Sequence, residues 1–564
     1  MNADFPVALI LILGAALVPL FRGSVRAAYM LLLPVVAFAW LLMLPHGEFA
    51  QVQLLGQTLV LMRVDRLSLL FGYIFIIATL LSIIYALHVK DTVQHMASLV
   101  YAGSAIGAVF AGDLLSLFVY WELTAVSSVL LIWARRNESA YRAGMRYLMV
   151  QLLSGMFLLV GGLLHWHATG SLEFSKIGIS SAGGMLILVA FGIKCSFPLL
   201  HNWLQDAYPQ ATATGTVVLS AFTTKLGVYA LARAYPGTEM LIWIGTVMAA
   251  FPIFYAVIEN DLRRVLAYSM TNQLGFMVVG IGIGSELALN GAVAHAFADI
   301  LFKSLLFMSM GAVLLRTGTA KGSELGGLYK SMPWTTGFCM VGAASISAFP
   351  LFSGFVTKSM IMAAVAGENH ILIWLVLLFA SAGVLEHAGI KIPYFAFFAH
   401  DSGKRCEEAP RNMLIAMAIT AALCIGIGVF PGALYAILPF TVDFEPYTVS
   451  HVLIQVQLLL FAALAVFLLM RTGIYPAEMR SVNLDSDWFY RKVAPAIVNA
   501  GGRMINNAQR AAGSVIHACM QGVIGLARRE SRPQGVLVRT LTTGSMALWV
   551  MIMLLAYLVL YYLG

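Results

Sequence analysis

Residues 191–204 read FGIKCSFPLLHNWL, which sets a lysine, a proline and a histidine inside an otherwise apolar run. A charge at bilayer depth is disfavoured by about 3 kcal/mol or more, so Lys194 has to face a partner or a wet cavity. Pro198 follows four residues later, and its ring opposes the carbonyl of residue 194, which kinks or breaks a helix there. Backbone groups freed at that depth persist only where protein or water satisfies them, and broken membrane helices recur along ion paths. The stretch therefore decides for a membrane span built around something polar.

Composition agrees: of 564 residues, 60% are hydrophobic and 11% charged, and the mean hydropathy is +0.87. Apolar runs of about twenty residues spell helices rather than a barrel, so the expected fold class is an all-α polytopic membrane protein. About sixteen spans are predicted, near 5–21, 27–44, 66–87, 92–111, 113–133, 141–165, 183–206, 214–234, 240–258, 263–284, 288–315, 334–364, 370–399, 412–431, 450–470 and 541–563. The run Phe5–Phe21 lacks a basic leader and reads as the first span rather than a cleavable signal. Arg22, Arg26, Lys90, Arg135, Arg136, Arg263, Arg264, Arg316, Lys321, Lys330, Lys404, Arg405 and Arg411 fall in loops of one side, whereas the other side holds little beyond Arg63, Lys176 and Arg233. The positive-inside rule then puts both termini on the outer side of a bacterial cytoplasmic membrane. The net charge of +8 is thus a matter of topology and not of nucleic-acid binding. Five scattered cysteines form no CxxC pair, and no dinucleotide or haem motif is present, so no metal, cofactor or catalytic group is expected.

Residues 471–540 are the longest polar stretch. Within it Ile497, Met504, Ile505, Ala508, Ala512, Val515, Ile516, Cys519, Val523 and Ile524 recur at helical spacing, with Arg503, Asn507 and Arg510 off that stripe. An amphipathic helix along the cytoplasmic interface is predicted, followed by a terminal anchor; the alternative is a solvated basic loop, which the paired glycines Gly501 and Gly502 favour. A faint repeat is also present. Lys194 precedes Pro198 in the seventh span, and Lys358 follows Pro350 in the twelfth, on opposite sides of their prolines, as inverted repeats would place them.

Further ionisable groups sit at similar depth. Glu122 lies mid-span in LLSLFVYWELTAVSSVLLIW and is the obvious counter-ion for Lys194, although the pair could simply pin two helices. Lys225 follows in LSAFTTKLGVYALA, and in HAFADILFK the residues His295, Asp299 and Lys303 share one helix face at i, i+4 and i+8. A file of this kind suits proton transfer, because a lysine can trade its proton when a nearby carboxylate moves, and His201 and His295 can bridge gaps near neutral pH. Each histidine alone is as readily a packing residue. Glu386, His387 and Lys391 form another polar cluster in the thirteenth span, a secondary candidate alongside His201 and Asp299.

FVYWEL, GIKCSFPLLHNWLQDAYPQA, TTKLGVYAL, DLRRVLAYSMTNQLG, HAFADILFKSLLF and FSGFVTK resemble, in this order, signature segments of the antiporter-like membrane subunits shared by Mrp-type Na+/H+ antiporters and the proton-pumping arm of complex I. The resemblance covers roughly residues 60–400 and implies two inverted five-helix half-channels, each with a broken helix. By it Glu122 and Lys194 are a coupled acid and lysine, Lys225 a mid-channel relay, and Lys303 and Lys358 the second half-channel. Residues 261–269 would begin a cytoplasmic helix that keeps the repeats in register. The domains implied are N-terminal helices 1–91, half-channels 92–234 and 240–399, a helix pair 412–470, the lateral segment 471–540 and the anchor 541–563. Lys225 stands where the terminal complex I pump has histidine, Asp299 is unusual in its motif, and the tail departs from the common D-type pattern.

The function expected is proton translocation within a multi-subunit monovalent cation/proton antiporter, with other membrane subunits and the bilayer as partners. Alternatives are a pumping subunit of a redox or hydrogenase-linked complex, in which the chain would be a non-redox part of a quinone-reducing translocase, a bicarbonate-uptake complex, or a non-transporting scaffold.

Overall fold

The computed structural model describes residues 4–54, 56–476, 478, 479, 483–533, 535 and 542–563. Two apolar helices come first: α1 (Val7–Leu17) and α2 (Gly23–Met43). A hairpin of β1 (Gly47–Leu54) and β2 (Gln57–Val64) follows, paired Gly47 to Val64 and Leu54 to Gln57. Then come α3 (Arg66–Ala86), α4 (Thr92–Phe110), α5 (Leu114–Trp133), α6 (Glu138–Thr169), α7 (Ala182–Lys194), α8 (Asn202–Ala207), α9 (Ala213–Ala221), α10 (Thr223–Ala234), α11 (Glu239–Ile258), α12 (Leu262–Ile283) and α13 (Glu286–Thr317). The series continues with α14 (Pro333–Ile346), α15 (Ser353–Gly367) and α16 (Ile371–Val384), which runs through a π-turn at Leu385–Ile390 into α17 (Lys391–Pro393). After α18 (Arg411–Val429), α19 (Gly432–Tyr435) and α20 (Val449–Arg471), the chain divides behind Asn483.

Thirteen helices among the described residues are long and apolar enough to cross a membrane. Val7–Leu20 and Ala182–Lys194 are shorter apolar helices, and the stretch expected as one span at 334–364 is two half-helices, α14 and α15. The hairpin was not foreseen. It is held by Asp113, the N-cap of α5, whose carboxylate accepts from Val60 N at 2.9 Å and from Ser116 N at 2.7 Å.

Small residues let these helices meet backbone to backbone, the usual device where lipid offers no hydrophobic drive. A Cβ on Gly275 of α12 would lie 2.4 Å from Ala249 N of α11, and one on Gly183 of α7 would lie 2.7 Å from Gly161 O of α6. Arg263, fully buried at the start of α12, donates to the carbonyls of Tyr208, Pro209, Ala211 and Thr212 and to the Thr216 hydroxyl. One guanidinium thus fastens the start of α12 to the α8–α9 turn.

The second unit, by itself, is a π-turn at Phe489–Val493, α21 (Ala494–Glu530, 37 residues) and α22 (Thr543–Leu563). α21 is continuous through Gly501 and Gly502 and spans about 55 Å at 1.5 Å per residue. Its apolar side chains, among them Ile497, Met504, Ile505, Val515, Ile516 and Val523, are exposed. Of the expected lateral segment and anchor, positions 477, 480–482, 534 and 536–541 lie outside the described residues.

Candidate functional site: a buried file of lysines at interrupted helices

The first interruption follows Lys194. Ser196 takes φ +68°, its N–H reaches Ile193 O, and Phe197 N–H reaches Gly192 O at 2.9 Å, the double bond pattern of a helix stop that normally uses glycine. Gly192 has to be glycine because a Cβ there would lie 2.4 Å from the Phe197 ring. The second interruption repeats the first. Ala348 takes φ +57°, Ala348 N–H reaches Ser345 O, and Phe349 N–H reaches Ala344 O at 3.0 Å. Beyond each stop come a phenylalanine, a proline (Pro198, Pro350) and a leucine at positive φ, Leu199 at +69° and Leu351 at +74°. A third interruption, at Phe222, splits the span expected at 214–234; Tyr101 Oη accepts from the freed Thr223 N–H at 3.0 Å.

Lys194, Lys225 and Lys358 lie at these breaks, and for the last two the carbonyl ends of helices solvate the ammonium. Lys225 Nζ donates to Ser220 O at 3.3 Å in the last turn of α9, and Lys358 Nζ to Ile346 O at 3.1 Å at the end of α14. Lys194 Nζ donates to Trp121 O at 3.0 Å and Thr124 Oγ1 at 2.5 Å, 4.5 Å from the Trp121 ring centre. Lys303 has a weaker hold, Leu266 O at 3.5 Å. None of these four side chains is more than 2% exposed.

Lys225 Nζ lies 2.6 Å from Asp299 Oδ2, both side chains at 0% exposure, so α10 and α13 share a buried ion pair. Asp299 also acts electrostatically on Lys303 and Lys358. One buried carboxylate is thus in contact with Lys225 and near enough to act on Lys303 and Lys358. A proton added at one lysine then raises the cost of holding one at the next.

Glu122 behaves differently from the expectation. Among the described ion pairs none joins it to Lys194; its Oε1 has no hydrogen-bond partner and lies against Gly155 of α6, 1.3 Å from where a Cβ would be. Lys194 remains the charge that acts on it most directly. His295 is held at both ring nitrogens, Nδ1 to Thr357 Oγ1 at 2.9 Å and Nε2 to Gln273 Oε1 at 3.0 Å. Gln273 in turn donates to Asn272 Oδ1 at 2.6 Å, so an amide chain backs the histidine. Thr124, Thr357, Asn272 and Gln273 were missed from sequence, where threonine and amides at helical spacing read as packing; their sign was polarity at bilayer depth within the quoted motifs. Asp206, paired bidentately with Arg146 at 2.7 and 3.0 Å, was missed likewise.

The secondary candidates separate. His201 begins α8 with its ring 4.7 Å from that of Phe251. His387 on the π-turn is wholly buried, and Lys303, Lys358 and Lys391 act on it electrostatically. Glu386 Oε1 accepts from Tyr475 Oη at 2.9 Å. Lys391 Nζ donates to Ala256 O, Val257 O and Glu259 O at 2.6–3.1 Å and pairs with Glu478 at 2.8 Å, which closes the end of α11. Among the described residues no group of three or more His, Cys, Asp or Glu side chains is placed to hold a metal ion.

The structure is that of a polytopic helical membrane protein with buried lysines and paired helix breaks. A family model described as NADH:quinone oxidoreductase/Mrp antiporter, TM, matches residues 111–386, and the chain belongs to this family. It is 30% identical over 348 residues to the D-type component of the Na(+)/H(+) antiporter of Alkalihalophilus pseudofirmus, an alignment covering 57% of this chain and 69% of that protein. It is 27% identical over 437 residues to hydrogenase-4 component B of Escherichia coli, covering 68% of this chain but only 63% of that relative's length. A chain of the Mrp complex from a Dietzia species superposes with a TM-score of 0.68 at 20% identity, over 80% of this chain and 99% of the other. A chain of respiratory complex I from Thermus thermophilus does so with 0.66 at 20% identity, over 76% and 98%.

Proposed function

We propose that this chain is the proton-translocating subunit of a multi-subunit monovalent cation/proton antiporter in the cytoplasmic membrane, with both termini outside. The observation that carries the reading is the buried file itself: Lys194, Lys225 with Asp299 and Lys358 beside helix ends or breaks, and Lys303 with His295 on α13, all shielded from solvent. Glu122 is the acid whose position biases Lys194, and residues 92–234 and 240–399 act as two half-channels that meet at the Lys225–Asp299 pair. A relative named as a component of a Na(+)/H(+) antiporter supports exchange, and structural neighbours drawn from multi-subunit complexes support neighbouring membrane subunits as partners. The positive charge of the Arg263, Arg316 and Arg411 side supports the orientation.

The test is ΔpH-driven Na+ or K+ exchange in inverted vesicles carrying the complex. Lys194→Ala and Glu122→Ala are expected to lose most of the exchange at normal membrane insertion; wild-type rates in both would sink the reading. A second reading, a proton pump powered by electron transfer in partner proteins, draws on the hydrogenase-4 relative and on the α21–α22 tail. Co-purified iron–sulfur proteins would favour it over exchange.

A further inference from the structure

Gln151 on α6 is fully buried, yet neither its Oε1 nor its Nε2 has a hydrogen-bond partner. An amide left in that state costs free energy at both ends, so its presence calls for a use. Two bonds between α5 and α6 bracket it: Trp121 Nε1 donates to Ser154 Oγ at 3.0 Å, and the Ser128 and Tyr147 hydroxyls meet at 2.8 Å. Ser154 and Tyr147 are three and four residues from Gln151 and share its helix face. The seat of the Lys194 ammonium, Trp121 O and Thr124 Oγ1, falls on α5 between the same two bonds. α6 and α7 run antiparallel, since Gly161 meets Gly183 and Ser154 Oγ donates to Ala190 O at 2.8 Å. One turn back along α6 from Ser154, at Gln151, is therefore one turn on along α7 from Ala190, at Lys194.

Glu122 stands one turn away on the same face of α6. Its Oε1 lies 1.3 Å from where a Gly155 Cβ would be, and Cβ positions at i and i+4 are about 6 Å apart, so about 6 Å separates that oxygen from the Gln151 Cβ. The amide extends about 4 Å beyond its Cβ and a hydrogen bond adds about 3 Å, so rotation of the Gln151 side chain brings Nε2 to the carboxylate. The unmet groups are also complementary. The carboxylate only accepts, the Lys194 ammonium only donates and spends two of its three N–H groups on α5, and an amide has one end of each kind. We propose that Gln151 is a switchable bridge between the acid and the lysine, its Nε2 donating to Glu122 and its Oε1 accepting the third N–H of Lys194. In the structure the bridge is open, with the ammonium on α5 and the carboxylate against Gly155. Gln151 carries no proton; it is a positioning residue that passes the placement of Glu122 to a lysine with which Glu122 makes no ion pair among those described. The proposal rests on the proton-file reading and gives the acid–lysine coupling within it a physical contact.

The test uses the full chain in its complex, with ΔpH-driven exchange in inverted vesicles and thermal unfolding of the purified complex read side by side. Gln151→Met keeps the length of the side chain and removes both ends of the amide. It is expected to unfold at or above the wild-type temperature, because a buried orphan becomes apolar. Exchange per assembled molecule is expected to fall by about tenfold or more, the worth of a hydrogen bond to a charged group. Wild-type exchange overturns the bridge, and so does exchange that falls only in step with stability, as a packing role would give. Combining Glu122→Gln with Gln151→Glu trades the places of acid and amide while keeping donor and acceptor in line with Lys194. The pair is expected to regain about tenfold over either single variant, and no recovery overturns the bridge. Should Gln151→Met fail to assemble, Gln151→Asn, whose amide is one carbon short of its partners, decides instead: lost exchange supports the bridge and retained exchange overturns it. Full exchange in Lys194→Ala would overturn the file reading, whereas exchange lost in Lys194→Ala but kept in Gln151→Met overturns the bridge alone.

Discussion

Lys225 on α10 and Asp299 on α13 meet at 2.6 Å with both side chains sealed from solvent, and this contact joins the first set of interrupted helices to the second. Its carboxylate is shared electrostatically with Lys303 and Lys358, so the charge state on one side of the contact is felt on the other.

Removing one member of this pair strands a buried charge. Lys225→Ala or Asp299→Ala alone is expected to cost about 3–5 kcal/mol, whereas Lys225→Met combined with Asp299→Leu recovers most of that stability. Exchange stays lost in all three. Thermal unfolding of the purified protein and vesicle exchange measured side by side separate the two effects. A double variant as unstable as the sum of the singles would mean that the pair is not coupled as described.

Gly155 offers a second lever on Glu122. A Cβ there would come 1.3 Å from Glu122 Oε1, so Gly155→Ala has to swing the carboxylate away from α6 while leaving the helix itself intact. Alanine also suits a helix better than glycine by about 1 kcal/mol, so insertion should not suffer. Exchange is expected to fall as far as in Glu122→Gln; wild-type exchange in Gly155→Ala would show that the placement of the carboxylate is immaterial.

At the opposite extreme of depth, Asp65 caps α3 and pairs with Arg233 at 2.8 Å. Burial pushes its carboxyl up, but Arg233 and the Ser68 hydrogen bonds outweigh this and hold it below the usual carboxylate range. A lowered acid stabilises the fold above the unfolded value, near pH 4, and loses that contribution as pH falls through the folded one. Asp65→Asn should therefore unfold at a lower temperature than wild type at pH 7, and the gap should close as the pH is taken well below 4. A gap independent of pH would assign the loss to the cap alone.

The sequence made the membrane class, the two prolines and the lysines legible, because a charge in an apolar run has few explanations. FGIKCSFPLL and ISAFPLF share a phenylalanine–proline–leucine core, and that core marks the two equivalent stops. What could not be read were the satisfying partners. The Phe222 break has no proline, and only Tyr101, over a hundred residues earlier, accounts for it. Glu122 and Lys194 looked like a pair by charge alone, yet Trp121 O and Thr124 take the ammonium; helix rotation decides such matters, and hydropathy does not report it. The β-hairpin was hidden for a similar reason, since the Asp113 carboxylate that bonds Val60 N comes from the N-cap of α5, about fifty residues on.

Lys391 tests whether burial alone marks a lysine as a proton carrier. Four acceptors surround its ammonium, three of them carbonyls at the end of α11 and the fourth Glu478, so the charge is fully solvated where it sits. Lys303 is equally buried but has a single acceptor at 3.5 Å. The first arrangement is a clamp and the second a loose charge. Lys391→Met should consequently strand Glu478 and lower stability by about 3–5 kcal/mol, with exchange reduced only in step with the amount of assembled protein. Lys303→Met should do the reverse, leaving a protein that unfolds near the wild-type temperature and exchanges little. If Lys391→Met instead assembles normally and loses exchange per molecule, the π-turn residues Glu386 and His387 beside it belong to the conducting file, and the second half-channel reaches the opposite bundle end through them.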